Sequence, residues 1–276
     1  MPRLLRLSVG ASLGLSLLLA QSSIAREGVD VGKTSAFTQW VSAEQVERSA
    51  QQQYLQLRQQ ASSKHALAPD NTPQLRRLRS IAQRIIPFTY AWNPRARDWS
   101  WEVNLIGSSQ INAFCMPGGK IAFYTGILEK LQLSDAEIAV VMGHEMAHAL
   151  REHARERMGK SMATQGAARI GGAVVAGVFG FDPRLTDMAA RGGANLLALE
   201  FSRENESEAD LVGLELAARA GFDPRAGISL WQKMSASNKG APPQWLSTHP
   251  AGKNRIAEME KNLPKVLPLY ERARKS

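Results

Sequence analysis

The stretch EIAVVMGHEMAHALREH, residues 137–153, sets two histidines four apart with a glutamate directly after the first, inside an apolar run. The chain has five histidines, and three of them fall here. On an α-helix four residues subtend about 400°, so His144 and His148 project from one face, about 40° and one turn apart. Two imidazoles so placed can grip one Zn2+, which takes nitrogen ligands near ~2.0–2.1 Å. Glu145 lies on the flank of that face, too far round to be a third ligand but beside a water held by the ion. A carboxylate there can take that water's proton as it attacks a peptide carbonyl. Each residue of this HExxH arrangement has a task in one mechanism. Without a metal, the helix would bury three polar groups with nothing to offset their desolvation.

Working outward, Ser134 and Glu137 form a capping box that starts the helix, which is expected to run to about residue 157. His153 then falls about 140° from His148 and should face elsewhere. His153 and His65 both read as ordinary surface histidines. A catalytic zinc wants three protein ligands and one open position. The third must come from another segment, and the densest acidic run is ENESEAD, residues 204–210. Glu206 and Asp210 share a helical face, and so do Glu204 and Glu208. Spacing alone does not choose between the pairs. One member could ligate while the other holds the far nitrogen of a ligand histidine; the same run could also be a solvated acidic face.

The remaining chain predicts a mainly helical α+β fold. Residues 43–68 are Gln-rich with apolar Val46, Ala50, Tyr54 and Leu57 at helical spacing. PDNTP breaks that helix, and Thr72 with Pro73 opens the next over 73–86. WSWEVNLI (99–106) alternates like a half-buried strand, and INAFCM and KIAFYT flank PGG as a hairpin. The expected sheet is small, antiparallel and beside the HExxH helix. A long helix is expected over 194–219, ended by Gly221, and another from Asp223-Pro224 to about 236. The last helix should stop at Pro264, leaving a basic tail over 264–276. The glycine-rich run IGGAVVAGVFGF (170–181) is too short to cross a bilayer. It reads either as a tightly packed helix or as a flap or membrane-touching segment over a site.

At 276 residues, with 44% hydrophobic and 21% charged residues, the composition is that of an ordinary globular protein. Residues 1–25 carry Arg3 and Arg6, an uncharged apolar run, and the small residues Ser23 and Ala25. This is the pattern of a cleaved secretory signal peptide, since Gln21, Ser22 and Ser23 shorten the apolar core below a comfortable span. Residues 26–68 would be a helical extension and 69–263 the main domain. The net charge of +9 is scattered and has no interleaved aromatics, so it reads as a solvated basic surface rather than a nucleic-acid site. Cys115 is the only cysteine, which excludes an internal disulfide and a cysteine-based zinc cluster.

HEMAH, followed by SRENESEADLVG and then STHPAGKNRI, resembles metallopeptidase family forty-eight, which holds the HtpX, BepA and LoiP peptidases and the CaaX prenyl proteases. INAFCMPGGKIAFYTGIL is similar to that family's stretch ahead of the zinc helix, and the likeness covers about residues 70–262. It implies a gluzincin-type domain with one Zn2+ per subunit. The third ligand would be Glu206, the first Glu of the family's ExxAD pattern, and Asp210 would steady a histidine. Glu204 and Glu208 would be flanking residues. Asn112 and Ala113 match an edge strand whose backbone pairs with extended substrate. By the same likeness His249 is a fourth ligand that gates the site, and Arg255 stabilises the oxyanion. The implied function is a zinc endopeptidase of the bacterial periplasm, acting on misfolded or misassembled envelope proteins. The competing reading is an assembly factor or chaperone with a latent or structural zinc. The sequence shows neither the tetratricopeptide repeats of the BepA type, nor the spans of the HtpX and CaaX types, nor the lipoprotein cysteine of LoiP. Its expected membrane contact is therefore peripheral.

Overall fold

Every residue from Glu137 to Leu150 is buried in the helix that carries the HExxH run, so the rest of the chain is arranged around it. The structure is a computed structural model and describes residues 26–171, 196–237, 244–249 and 254–275. The leader read at 1–25 and the glycine-rich run from residue 172 onward lie outside the described residues. Three strands, β1 (Glu102–Ile106), β2 (Ala113–Met116) and β3 (Lys120–Tyr124), accompany helices α1 (Ala43–Ser63), α2 (Pro73–Ile85), α3 (Thr125–Leu131) and α4 (Asp135–Leu150). After α4 come α5 (His153–Gly171), α6 (Arg203–Arg219), α7 (Ala226–Ser237), the short α8 (Gln244–Thr248) and α9 (Arg255–Ala273).

Strand order is β1-β3-β2. The hairpin β2–β3 is antiparallel, as expected, but β1 pairs with β3 in parallel, so the sheet is mixed rather than antiparallel. Alternation tells which residues share a face; it carries no information on strand direction. One face of the sheet, with Val103, Leu105, Ile121 and Phe123, joins the main core. The other, with Ile106, Phe114, Met116 and Ala122, is covered by Val46, Ala50 and Tyr54 of α1. Asn104 is buried as well, and its amide donates to the Tyr54 hydroxyl at 3.0 Å.

The capping box at the start of α4 is present: the Glu137 amide donates to Ser134 Oγ at 3.3 Å, and Glu137 Oε2 accepts from the Ser134 amide at 2.8 Å. The helix does not reach residue 157. It ends at Leu150, Glu152 takes a left-handed conformation with φ 58°, and α5 starts afresh at His153. A left-handed glutamate costs about 1 kcal/mol or more, and here it swings residue 153 back beneath α4.

On the other side of α4 lies α6. The two helices cross at Gly143 and Gly213, where their backbones touch: a Cβ on Gly213 would sit 2.7 Å from the His144 nitrogen, and one on Gly143 would sit 2.8 Å from the Gly213 carbonyl. That contact sets the first turns of α6 directly against the histidines. The final helix also departs from expectation. It runs through Pro264 and Pro268 to Ala273, because both prolines lie on its outer face while Met259, Asn262, Val266 and Leu269 face the core. Carbonyls that lose a partner to an exposed proline can turn to water. No helix among the described residues is long and apolar enough to cross a membrane.

Candidate metal centre

His144 and His148 emerge one turn apart from α4, and their Nε2 atoms lie 3.1 Å from each other. The Glu206 carboxylate comes from the first turn of α6, 3.6 Å from His144 Nε2 and 3.4 Å from His148 Nε2. His249, just after α8, closes the group. One ligand atom from each of His144, His148, Glu206 and His249 lies within 4.8 Å of all the others, and all four residues are buried. Of the two open pairs in ENESEAD, the fold brings in Glu206 and Asp210 and leaves Glu204 exposed.

The far side of each imidazole fixes which nitrogen keeps its lone pair. His144 Nδ1 lies 3.0 Å from Asp210 Oδ1, so it donates there and Nε2 points its lone pair into the cluster. His249 Nδ1 lies 3.1 Å from the Trp245 carbonyl, and its Nε2 also faces inward. Two buried atoms of this cluster, Glu206 Oε1 and His249 Nε2, have no hydrogen-bond partner. Orphaned groups of this kind are costly unless something binds them. Burial, with Arg255 and three further imidazoles around it that disfavour another charge, holds His148 well below the ordinary imidazole range, so it stays neutral, the form that ligates. Burial pushes His249 down, but the Glu145 and Glu206 carboxylates outweigh it and lift the group above its usual value. The cluster thus calls for positive charge, which a metal ion would supply. Three imidazole nitrogens and a carboxylate oxygen are a donor set that fits zinc and related divalent ions.

Glu145 is buried beside the cluster. Its Oε1 accepts from Trp245 Nε1 at 2.6 Å, and its Oε2 lies 3.6 Å from His249 Nε2. Burial pushes this carboxyl up, but His249, His144 and the Trp245 indole more than offset it and hold it below the ordinary range. Asp210 behaves alike: burial raises it, and Arg255 with His144 brings it down. Arg255 donates to Asp210 at 2.5 and 2.6 Å and to Glu206 at 2.7 Å, and its guanidinium lies 3.8 Å over the Trp231 ring. It is buried, and in this position it clamps the two carboxylates.

A cavity of about 310 Å3 opens onto the cluster, lined by Asn112, Ala113 and Phe114 on one side and Glu145, His148 and His249 on the other. β2 is the edge of the sheet on this side. The Tyr124 amide donates to the Asn112 carbonyl at 3.1 Å; by alternation, Ala113 and Cys115 turn their backbone groups away from β3, toward the cavity. The Ala113 amide is covered by the Asn112 side chain at 3.0 Å. Cys115 is buried in this strand, and burial pushes its thiol well up, so it remains protonated.

Three residues were not legible as members of this site. Trp245 holds Glu145 and stacks on His249, with ring centroids 4.8 Å apart and planes 18° apart. Its four-residue spacing from His249 is the only sequence signal. Phe201 stacks on His148 at 3.9 Å. His153, expected at the surface, is 1% exposed and lies 2.9 Å from His148 through the two Nδ1 atoms.

The model of peptidase family M48 matches residues 73–263. The chain belongs to that family. Among M48-type relatives, the mitochondrial metalloendopeptidase OMA1 of Arabidopsis thaliana is 39% identical over 156 residues, covering 56% of this chain and 30% of the relative. OMA1 of Saccharomyces cerevisiae is 34% identical over 184 residues, 63% of this chain and 50% of its own. The metalloprotease LoiP of Escherichia coli is 27% identical over 199 residues, 71% of this chain and 73% of its own. The chain spans about a third to a half of the mitochondrial relatives it matches.

Proposed function

We propose that this M48 chain is a zinc-dependent endopeptidase that cleaves extended segments of unfolded or misassembled polypeptides. The observation that carries this reading is the convergence of His144, His148, Glu206 and His249 within 4.8 Å, next to a buried carboxylate and an open strand edge. His144, His148 and Glu206 would hold the ion. When bound, zinc supplies Lewis acidity, polarising a scissile carbonyl and making a water acidic enough to attack near neutral pH. Glu145 takes the proton of the attacking water and returns it to the leaving amine. Asp210 fixes the tautomer of His144, and Arg255 holds Asp210 and Glu206 in register. Ala113 and Cys115 align the substrate main chain as an added strand.

His249 gives the proposal its regulatory half. With its Nε2 in the cluster, the donor set is complete, and a closed four-ligand site is the hallmark of structural rather than catalytic zinc. We read this as the latent state of an enzyme; a permanently closed site would instead support the assembly-factor reading. The leader pattern at 1–25 and the likeness to LoiP favour the bacterial periplasm as the place of action, with misfolded envelope proteins as substrates and peripheral contact with the membrane.

The test is Glu145→Gln. The variant should bind zinc as the wild type does and lose casein cleavage by about 10^2-fold or more, the usual worth of a positioned general base. Full activity in that variant would refute the mechanism.

A further inference from the structure

We infer that His153 is a positioning residue for the metal centre, acting with Glu208 to fix the tautomer and ring orientation of His148. The inference rests on the zinc reading above and concerns residues that neither the HExxH motif nor the ExxAD run accounts for.

A line of contacts carries it. His148 Nδ1 and His153 Nδ1 are 2.9 Å apart, so one must donate and the other accept. The other ring nitrogen of His153 lies 3.2 Å from Glu208 Oε2. A carboxylate can only accept, so His153 carries a proton on Nε2 and, as the neutral imidazole, presents a lone pair at Nδ1. His148 must then donate from its own Nδ1, and its lone pair is left on Nε2, facing His144 and Glu206. The direction of the whole line, Glu208 to His153 to His148, is thus decided by the carboxylate at its outer end. Glu208 is held in turn by Arg151, which also donates to the Gly32 carbonyl. Phe201 stacks on His148 with planes 23° apart, and His153 meets it edge-on at 75°, so both tilt and rotation of the ring are fixed.

With this line in place, each of the three histidines has an acceptor behind it: Asp210 for His144, the Trp245 carbonyl for His249, and His153 for His148. The left-handed Glu152 is what makes the third possible, since an unbroken α4 would carry residue 153 well round the helix. A strained turn with no glycine or proline, placed one residue before a buried histidine, fits a functional constraint.

The test is zinc affinity of the full-length protein, read by competition with a chromogenic chelator. Replacing a partner of a ligand histidine usually costs ~10–100-fold in metal affinity. His153→Phe keeps the ring and volume but removes the acceptor, and should weaken zinc binding at least tenfold. His153→Gln can accept from His148 through its carbonyl and donate to Glu208 through its amide, and should stay within about threefold of wild type. Nitrogen NMR of histidine-labelled wild-type protein should show His148 protonated on Nδ1. A His153→Phe protein that binds zinc within twofold of wild type overturns the inference, and so does a Gln variant as weak as the Phe variant. If His153→Phe does not fold, Glu208→Ala, at a side chain 19% exposed, should give a severalfold loss, and an unchanged affinity there overturns the inference equally. Wild-type protein that binds no zinc at all sinks the metal-centre reading itself.

Discussion

Gly213→Ala adds one methyl group where α4 and α6 touch. The new Cβ would lie 2.7 Å from the His144 nitrogen and 3.0 Å from its Cα, against an ordinary contact that begins at 3.4 Å. Both obstacles are backbone, so no side chain can swing aside, and the helices must part by about 0.7 Å. His144 rides on one helix and Glu206 and Asp210 on the other, and a metal site tolerates errors of about 0.2 Å in ligand distance. The separation exceeds that tolerance several-fold. Overpacking of this kind costs about 1–3 kcal/mol, or about 2–4 °C in melting temperature per kcal/mol at this size. Zinc affinity, measured by chelator competition, should fall at least tenfold. Gly227→Ala is the control. Its Cβ would meet the Leu214 Cδ2 and Met259 Sδ atoms at 2.7 and 3.2 Å, ends of flexible side chains away from the ligands. It should cost stability alone. A Gly213→Ala protein that is folded and binds zinc as wild type does would refute the claim that the glycine crossing sets the site.

Other outcomes follow from the same geometry. At saturating zinc, His249→Ala should raise casein cleavage about tenfold, equivalent to removing about 1.4 kcal/mol of competing ligation; an unchanged or lower rate contradicts the gate. Asp210→Asn leaves Arg255 with Glu206 as its one remaining anionic partner among the two it clamps and His144 without its anionic acceptor, so zinc affinity should fall ~10–100-fold; an affinity equal to wild type contradicts its role. Glu137 links acid sensitivity to the start of α4. Burial raises its carboxyl, but Lys233, the Ser134 amide and Ser229 outweigh it and hold the group below its unfolded value. Its stabilisation is therefore complete above the ordinary carboxylate pKa and lost as pH falls through the lower folded value. Glu137→Gln should narrow the gap between melting temperatures at pH 7 and pH 3, and an unchanged gap would contradict this.

The metal-binding turn was legible because its requirements are local: a cap, a helix, and two imidazoles at a four-residue interval. The choice of Glu206 over Glu204 or Glu208 was not, since helical spacing gives two equivalent pairs, and only the likeness to M48 proteins separated them. His153 was misplaced by assuming a continuous helix; the turn at Glu152 carries no glycine or proline, and the charged run REHARER continues the pattern of a surface helix. Pro264 and Pro268 were read as a stop, yet two prolines four residues apart on an outer face leave the buried stripe intact. The parallel pairing of β1 could not be read from alternation. Trp245 was invisible for another reason. Its importance is a hydrogen bond to a residue a hundred positions away in the chain.

The Trp245 amide also donates to the Ile111 carbonyl at 3.1 Å, just ahead of β2. One short helix therefore docks beside the proposed substrate strand while its indole holds Glu145 and the following histidine joins the cluster. A client chain laid along that strand would compete for the same backbone carbonyl before reaching the metal. If the chain acts as proposed, arrival of an extended substrate and withdrawal of His249 from the cluster would be one event, and a folded neighbour with no straightened strand to offer would not trigger it.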